Sequence, residues 1–253
     1  MLRGVSRLFE ILDALASPGA EGVGLHELGR RVSLADPTLL RFLGSLQELG
    51  FVRADERGKY RLTEQFKRYT GGAAQDVRLA AKDILQRLTA DLQEDVQIAT
   101  LDADSAVCIE TLKSSHLLQV AFNTGFRAPI HASAMGKVLL AHMPDGARRD
   151  LIARSELRPY TKRTITDRKA LERDLTETRR RGFAVDDQEL ELGINCIAAP
   201  IFQDSLVVAS LSLTAPSHRK PIADLLACAP RVVASAQEIS DRLRSGLMPD
   251  PTA

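Results

Sequence analysis

His131, Ser133 and Lys137 stand within seven residues of one another, just before an apolar run that is typical of a helix. A serine near a histidine or lysine can become a nucleophile if a base and an oxyanion hole are positioned around it. One hypothesis is therefore a small-molecule hydrolase that uses Ser133, with the N-terminal segment as an interaction module. The alternative is a loop that enters a helix, whose free N–H groups suit a small carboxylate ligand. We favour this second interpretation and expect no catalytic residue.

A second group of candidate residues lies on a helix predicted to start with Asp36 as N-cap and Pro37 in its first turn, and to end near Gly50. Apolar residues at every third or fourth position predict the face that packs inward. The residues off this face, which we expect to contact DNA, are Thr38, Leu40, Arg41 and Ser45. Arginine pairs with a guanine edge or a phosphate, and an exposed leucine suits a thymine methyl group.

The elements around this helix predict a winged helix-turn-helix. Apolar spacing indicates helices at 5–15 and 25–32, and two β-prone runs around a charged, glycine-containing turn indicate a hairpin at 51–62. The wing residues placed to hold the DNA backbone or minor groove are Arg57, Lys59 and Arg61. Winged helices also bind proteins, so a protein-interaction module remains an alternative.

The longer C-terminal part predicts an α+β domain with a mainly antiparallel sheet. An amphipathic segment at 73–94 follows a Gly-Gly pair that is typical of a domain boundary. We expect strands at 96–101, 106–112, 117–122, 196–202 and 206–214. We expect helices at 134–142, 145–155 and 168–181, and a last helix at 222–247 that is interrupted at Pro230.

Composition excludes several classes of protein. The 253 residues are 44% hydrophobic and 26% charged, which is typical of a globular chain with two domains or one large one. No apolar run approaches the roughly 18 residues that cross a bilayer, so we expect no membrane association. Three widely spaced cysteines argue against a disulfide framework and favour the reducing cytoplasm. We find no nucleotide-binding or hydrolase motif and no histidine spacing typical of a metal site, and we expect neither cofactor nor metal.

The charge balance alone does not indicate nucleic-acid binding. Residues 1–70 contain 11 Lys+Arg and 9 Asp+Glu, and residues 71–253 contain 23 and 24, so the two parts carry +2 and −1. The positions of the basic residues are more informative than the net charge, because these residues recur through the predicted recognition helix and wing. We expect modest nonspecific DNA affinity that depends strongly on salt.

Several stretches in a fixed order resemble the IclR (isocitrate-lyase-regulator) family of bacterial transcription factors. Within the N-terminal part, they are 34–43, 46–52 and 60–62. Within the C-terminal part, they are 129–141, 160–167, 181–189 and 193–200. The order and number of these stretches make the resemblance specific over nearly the whole chain.

The resemblance implies a winged helix-turn-helix at 1–70, a linker helix at 71–94, and a GAF-like effector and oligomerisation domain at 95–253. It implies a ligand-responsive regulator of a catabolic operon that binds a double-stranded DNA operator as a homodimer or dimer of dimers and senses a small organic acid. The effector-binding positions that it implies are Ala134, Met135, Asp186, Cys196, Ser212 and Thr214. Met135 is bulky and apolar, which indicates a ligand with an apolar portion. Asp36-Pro37 departs from the small or basic residues usual before the recognition-helix threonine, which indicates a different operator preference.

Overall fold

The computed structural model describes residues 3–16, 22–63, 66, 72–117 and 119–246. The chain divides into two compact units, Met1–Ala73 and Ala74–Ala253. Each unit is treated by itself.

The N-terminal unit has three helices and a small antiparallel sheet. In chain order the elements are α1 (Arg3–Ala16), β1 (Val23–Gly24), α2 (Leu25–Arg31), α3 (Asp36–Glu48), β2 (Val52–Ala54) and β3 (Lys59–Leu62). The strand order is β1-β3-β2. Apolar residues of all three helices and of the sheet form one buried cluster. The predicted winged helix-turn-helix is confirmed, with the two-residue β1 as an addition too short for sequence patterning to indicate.

The predicted N-cap of α3 is wrong by one residue. Ala35 has extended backbone angles and is the N-cap, whereas Asp36 is already helical. The Asp36 carboxylate does not cap the helix because it bonds to Nδ1 of His26 at 2.8 Å. Pro37 lies in the first turn, as expected.

The C-terminal unit is built on a six-stranded antiparallel sheet of order β6-β5-β4-β9-β8-β7. Its strands are β4 (Asp95–Asp102), β5 (Ser105–Leu112), β6 (Arg127–Pro129), β7 (Ala184–Asp187), β8 (Ile194–Gln203) and β9 (Leu206–Pro216). Its helices are α4 (Gly72–Leu92), α5 (Ala134–His142), α6 (Asp145–Arg154), α7 (Arg168–Arg181), α8 (Ile222–Ala227) and α9 (Ala229–Ser245). The α+β prediction is therefore confirmed.

The two faces of the sheet pack against different helices, because alternate residues of a strand point to opposite faces. One face contributes apolar residues that pack against α4 and α9 in the largest buried cluster of the described residues. The other face packs small residues such as Ala99, Ala184 and Ala198 against Ala134 and Met135 of α5. Small side chains on this second face let α5 lie close to the sheet.

The predicted strand at 117–122 is wrong, since the described residues of that segment form no strand. Val120 and Phe122 are nevertheless buried, because they pack into the same cluster as α5. Nζ of Lys113 donates to the carbonyl oxygens of both residues, and the Phe122 ring stacks on Phe126 at 4.5 Å between centroids. The alternation of apolar residues in 117–122 therefore comes from a segment that covers the apolar cluster around α5, and not from a strand. The short strands β6 and β7 were not predicted as strands.

Candidate functional site

A band of polar side chains crosses the α5-facing side of the sheet on four neighbouring strands. We call it the polar strip and define it by Gln97, Ser212, Thr214, Cys196 and Asp186. In the strand register, Ser212 lies opposite Gln97, while Cys196 lies between Thr214 and Asp186. All five residues are buried. The fold thus brings Asp186, Cys196, Ser212 and Thr214, four of the positions that the resemblance implies, together on one face of the sheet.

The hydroxyl groups of the polar strip are bound to Gln97. Ser212 Oγ and Thr214 Oγ1 each donate to Oε1 of Gln97 at 2.9 Å. Cys196 Sγ lies 3.3 Å from Thr214 Oγ1, and it donates because the threonine proton is already used. Burial, followed by the nearby Asp186 charge, raises the pKa of the Cys196 thiol well above its ordinary value, so it remains a protonated donor. One hydrogen-bonded chain therefore joins three strands.

Asp186 ends the polar strip on β7 and is almost completely buried. Burial, with a contribution from the Glu189 charge, raises its pKa to about 7. Two backbone N–H groups oppose this shift, because those of Glu189 and Leu190 donate to Oδ1 at 2.7 and 3.3 Å. Asp186 is thus an acid that changes protonation state near neutral pH and can exchange a hydrogen bond with a ligand.

The start of α5 faces the polar strip. Ser133 caps this helix by accepting from the Gly136 N–H at 3.1 Å and donating to the Pro129 carbonyl at 2.8 Å. A Cβ at Gly136 would lie 2.4 Å from Cα of Ile130, so only glycine allows this close backbone approach. Helix geometry leaves the N–H groups of Ala134 and Met135 without intrahelical acceptors. Such groups favour an anionic oxygen.

A buried ion-pair cluster joins α5 to neighbouring elements. Nζ of Lys137, which is fully buried, lies 2.6 Å from Oε1 of Glu189 and 3.1 Å from Oδ2 of Asp174. Burial raises the pKa of Glu189, while the lysine charge opposes the shift. Oε2 of Glu189 is buried and accepts no hydrogen bond within the described parts of the chain.

This geometry does not favour the hydrolase hypothesis. Ser133 acts as a helix cap, and Lys137 is held by two carboxylates instead of the serine hydroxyl. His131 places Nε2 3.0 Å from the Arg158 carbonyl oxygen. The described residues contain no group of histidine, cysteine and acidic side chains suited to a metal ion. Across the same residues, no helix is both long and apolar enough to span a membrane.

Three residues of this region, Gln97, Lys137 and Glu189, are not among the site residues that the sequence predicts. Gln97 is a polar residue within an apolar strand run, which is a detectable signal of a buried polar role. Lys137 was considered only as a partner of Ser133. Glu189 lies within a resembling stretch, but its partner is 52 positions away and no local pattern connects them.

The predicted DNA-contacting residues of α3 form an exposed surface. Thr38, Arg41 and Ser45 are exposed, and Leu40 is 44% exposed while Leu39 and Leu43 are buried. The helix therefore has the expected division into a packing face and a face free for docking. Charged and short polar side chains surrounding one exposed leucine suit the edge of a DNA base.

The three predicted wing residues are in different environments. Arg57 is exposed and Lys59 is half-buried, whereas Arg61 Nη2 bonds to Oδ2 of Asp55 at 2.6 Å. Asp55 also accepts from the backbone N–H groups of Arg57 and Lys59, and these bonds, led by the one from Lys59, hold its pKa below the ordinary value. Arg61 therefore shapes the turn, which leaves Arg57 better placed to meet a phosphate. Arg53, exposed on β2, extends the basic surface.

Two family patterns match the chain, one in its N-terminal part and one in its C-terminal part. The pattern described as "IclR helix-turn-helix domain" matches residues 4–56, and that described as "Bacterial transcriptional regulator IclR C-terminal" matches residues 72–241. The chain belongs to the IclR family of bacterial transcriptional regulators. The N-terminal unit is the DNA-binding domain of this family, and the C-terminal unit is its ligand-binding domain.

Individual relatives agree with this assignment. The HTH-type transcriptional regulator KdgR of Escherichia coli is 35% identical over 222 residues, covering 85% of this chain and 82% of the relative. The IclR structure of Thermotoga maritima is 26% identical with a TM-score of 0.65, covering 96% and 100% of the two chains. An IclR homologue of Microbacterium hydrocarbonoxydans, solved with 4-hydroxybenzoate, shares the fold at 24% identity and a TM-score of 0.61, covering 95% and 99%.

Proposed function

We propose that this IclR-family regulator controls a catabolic operon and that a small organic acid sets its affinity for the operator. The observation that carries the proposal is the buried polar strip facing the start of α5. Burying polar side chains costs free energy, and a core that served packing alone would not contain them. The free N–H groups of Ala134 and Met135 suit a carboxylate. Asp186 suits a second polar group of the ligand.

The effector has two chemically different parts in this proposal. The polar strip receives its oxygens, while Met135 and neighbouring apolar residues pack against a hydrocarbon part. An aromatic acid such as the 4-hydroxybenzoate found in the Microbacterium homologue has both parts. Cys196 acts here as a buried thiol donor, not as a nucleophile.

The DNA contacts come from the exposed side of α3 and from the wing. Arg41 pairs with a base edge or phosphate, Thr38 and Ser45 contact the backbone, and Leu40 packs on a thymine methyl group. Arg57 and Lys59 add phosphate contacts. The protein acts as a homodimer or dimer of dimers, which matches a pseudo-palindromic operator.

We propose that residues 71–94 form the linker between the DNA-binding domain and the effector domain. Most of this segment forms the helix α4, Gly72–Leu92. We further infer that the protein has no hydrolase activity at Ser133, since the cap uses the hydroxyl both as donor and as acceptor.

Footprinting of the full-length protein on the DNA upstream of its own gene tests the DNA-binding part. We expect protection of a site with two related halves, and loss of this preference in Arg41→Ala. A thermal-shift screen of small organic acids tests the effector part, because a ligand that binds only the folded state raises the melting temperature. Binding no tighter than to random duplex at the same salt contradicts the first part, and the absence of any stabilising acid contradicts the second.

A further inference from the structure

Gln97 lies at the β4 end of the polar strip, and one atom of its side chain has no partner among the described residues. The residue is 0% exposed, and its Oε1 accepts from both Ser212 and Thr214. Its Nε2 is also buried and has no hydrogen-bond partner among the described residues. A buried donor without an acceptor destabilises the folded state, so such an atom is retained where it has a use.

The amide of Gln97 turns its oxygen towards two hydroxyl groups of the strip. Two hydroxyl groups donate to the same oxygen, which places the amino group on the opposite side with two available hydrogens. The Cys196 thiol donates in turn to Thr214, so the protons of the two hydroxyls and of the thiol are all used within the protein. Among these four side chains of the described strip, Gln97 alone keeps unused donor hydrogens.

The position of Gln97 directs these hydrogens to the side of the sheet that α5 covers. Ser212 lies directly opposite Gln97 in the register, and Ala99 lies two residues further on the same face. Ala99 packs in one cluster with Ala134 and Met135. The unused donors of Gln97 and the free N–H groups at the start of α5 therefore belong to the same side of the sheet.

We propose that Gln97 is the effector-binding residue that donates to the ligand carboxylate and selects acids over their neutral analogues. This inference rests on the proposed function, in which the ligand binds between the polar strip and α5. Ser212 and Thr214 also position the amide, because their hydroxyl groups hold its oxygen. A carboxylate accepts both amide hydrogens and the helix N–H groups, whereas a carboxamide presents its own donor hydrogens to these donors.

The test compares Gln97→Glu with the wild type in the full-length protein. Glutamate has nearly the same shape and still offers an oxygen to Ser212 and Thr214, but it replaces the donating amino group with an acceptor. Gln93→Glu is the matched control, because it adds the same charge at an exposed position four residues earlier. The probes are three acid and amide pairs: acetate with acetamide, benzoate with benzamide, and 4-hydroxybenzoate with 4-hydroxybenzamide.

We expect at least one acid to bind the wild type by calorimetry and its amide to bind more weakly. Gln97→Glu should weaken that acid about ten- to a hundredfold, which corresponds to the loss of hydrogen bonds to a charged group, and Gln93→Glu should leave it unchanged. Equal affinity of Gln97→Glu and wild type overturns the role of Gln97 but leaves the proposed function standing. If no acid binds the wild type, the proposed function fails together with this inference.

A crystal structure of the wild type with the acid that binds gives a second test, which does not depend on the folding of a variant. The proposal predicts a carboxylate oxygen about 3 Å from Nε2 of Gln97. A carboxylate that contacts only Ser212, Thr214 or the helix N–H groups would overturn it.

Discussion

Nζ of Lys137 lies 2.6 Å from Oε1 of Glu189, and this buried ion pair joins helix α5 to the segment that follows β7. Asp186, which ends the polar strip, lies three residues before Glu189 and accepts its backbone N–H. The pair therefore holds both sides of the proposed effector site: the helix that carries Ala134 and Met135, and the end of strand β7, which carries Asp186.

Lys137→Met should destabilise the protein by about 3–5 kcal/mol, because it leaves the buried Glu189 carboxylate without its counter-charge. Urea unfolding measures the loss. Lys137→Met combined with Glu189→Leu should cost less than the sum of the two single changes, since it removes both charges of the pair. Additive single effects, or a loss below about 1 kcal/mol for Lys137→Met, would show that the pair is not coupled in this way.

The raised pKa of Asp186 predicts a pH dependence of stability. In the folded protein the Asp186 carboxyl holds its proton up to about pH 7, whereas an aspartate of the unfolded chain releases it at about pH 4. Between these values the folded state binds more protons, so the free energy of unfolding falls as pH rises. Asp186→Asn should flatten this slope in urea titrations at several pH values. The exposed Asp150→Asn is the control and should leave the slope as in the wild type.

The same carboxyl predicts weaker effector binding as pH rises through about 7. Ionised Asp186 adds a negative charge beside Glu189, and both disfavour a ligand carboxylate, while Lys137 partly compensates. Calorimetry across this range measures the change for any acid that binds. Affinity that is independent of pH in the wild type would contradict the placement of Asp186 in the proposed effector site.

Arg41→Ala should weaken operator binding by about 1–3 kcal/mol if Arg41 reads a base, and should relax the preference at one operator position. Fluorescence anisotropy at fixed salt measures both effects. Arg149→Ala, which removes an exposed arginine from the C-terminal unit, is the matched control. An equal loss on operator and random duplex would assign Arg41 to a phosphate instead of a base.

The two wing arginines should respond differently. Arg57→Ala should weaken binding to every duplex and reduce the salt slope by about one, as expected for one lost phosphate contact. Arg61→Ala should lower the melting temperature, because it removes the partner of Asp55. A reversed pattern, with Arg61 controlling the salt slope and Arg57 the stability, would contradict the roles inferred for the wing.

Ser133→Ala should cost about 1 kcal/mol of stability through the lost helix cap. Thermal unfolding measures this loss, and effector binding should weaken in parallel because the cap positions the start of α5. Hydrolysis of an ester or amide by the wild type that disappears in Ser133→Ala would instead restore the hydrolase hypothesis.

The local parts of this fold could be predicted from the sequence. Helices α3, α5 and α7 and the long strands β8 and β9 have apolar periodicity that appears in their own residues, and their predicted positions agree with the structure. The segment 117–122 is wrongly predicted as a strand, because a segment that covers an apolar face buries alternate residues just as a strand does. Gln97 and Glu189 were missed because each depends on partners more than 50 positions away, to which no local pattern points.

The most direct test of ligand-controlled DNA binding is one titration of the operator with full-length protein, with and without an acid that stabilises it. At fixed salt, we expect tight binding relative to random duplex and a clear change in the operator Kd when the acid is added. Asp186→Ala should retain the affinity without acid and lose the response. An operator Kd that the acid leaves unchanged, or equal binding to operator and random duplex, would contradict ligand-controlled binding to a specific operator.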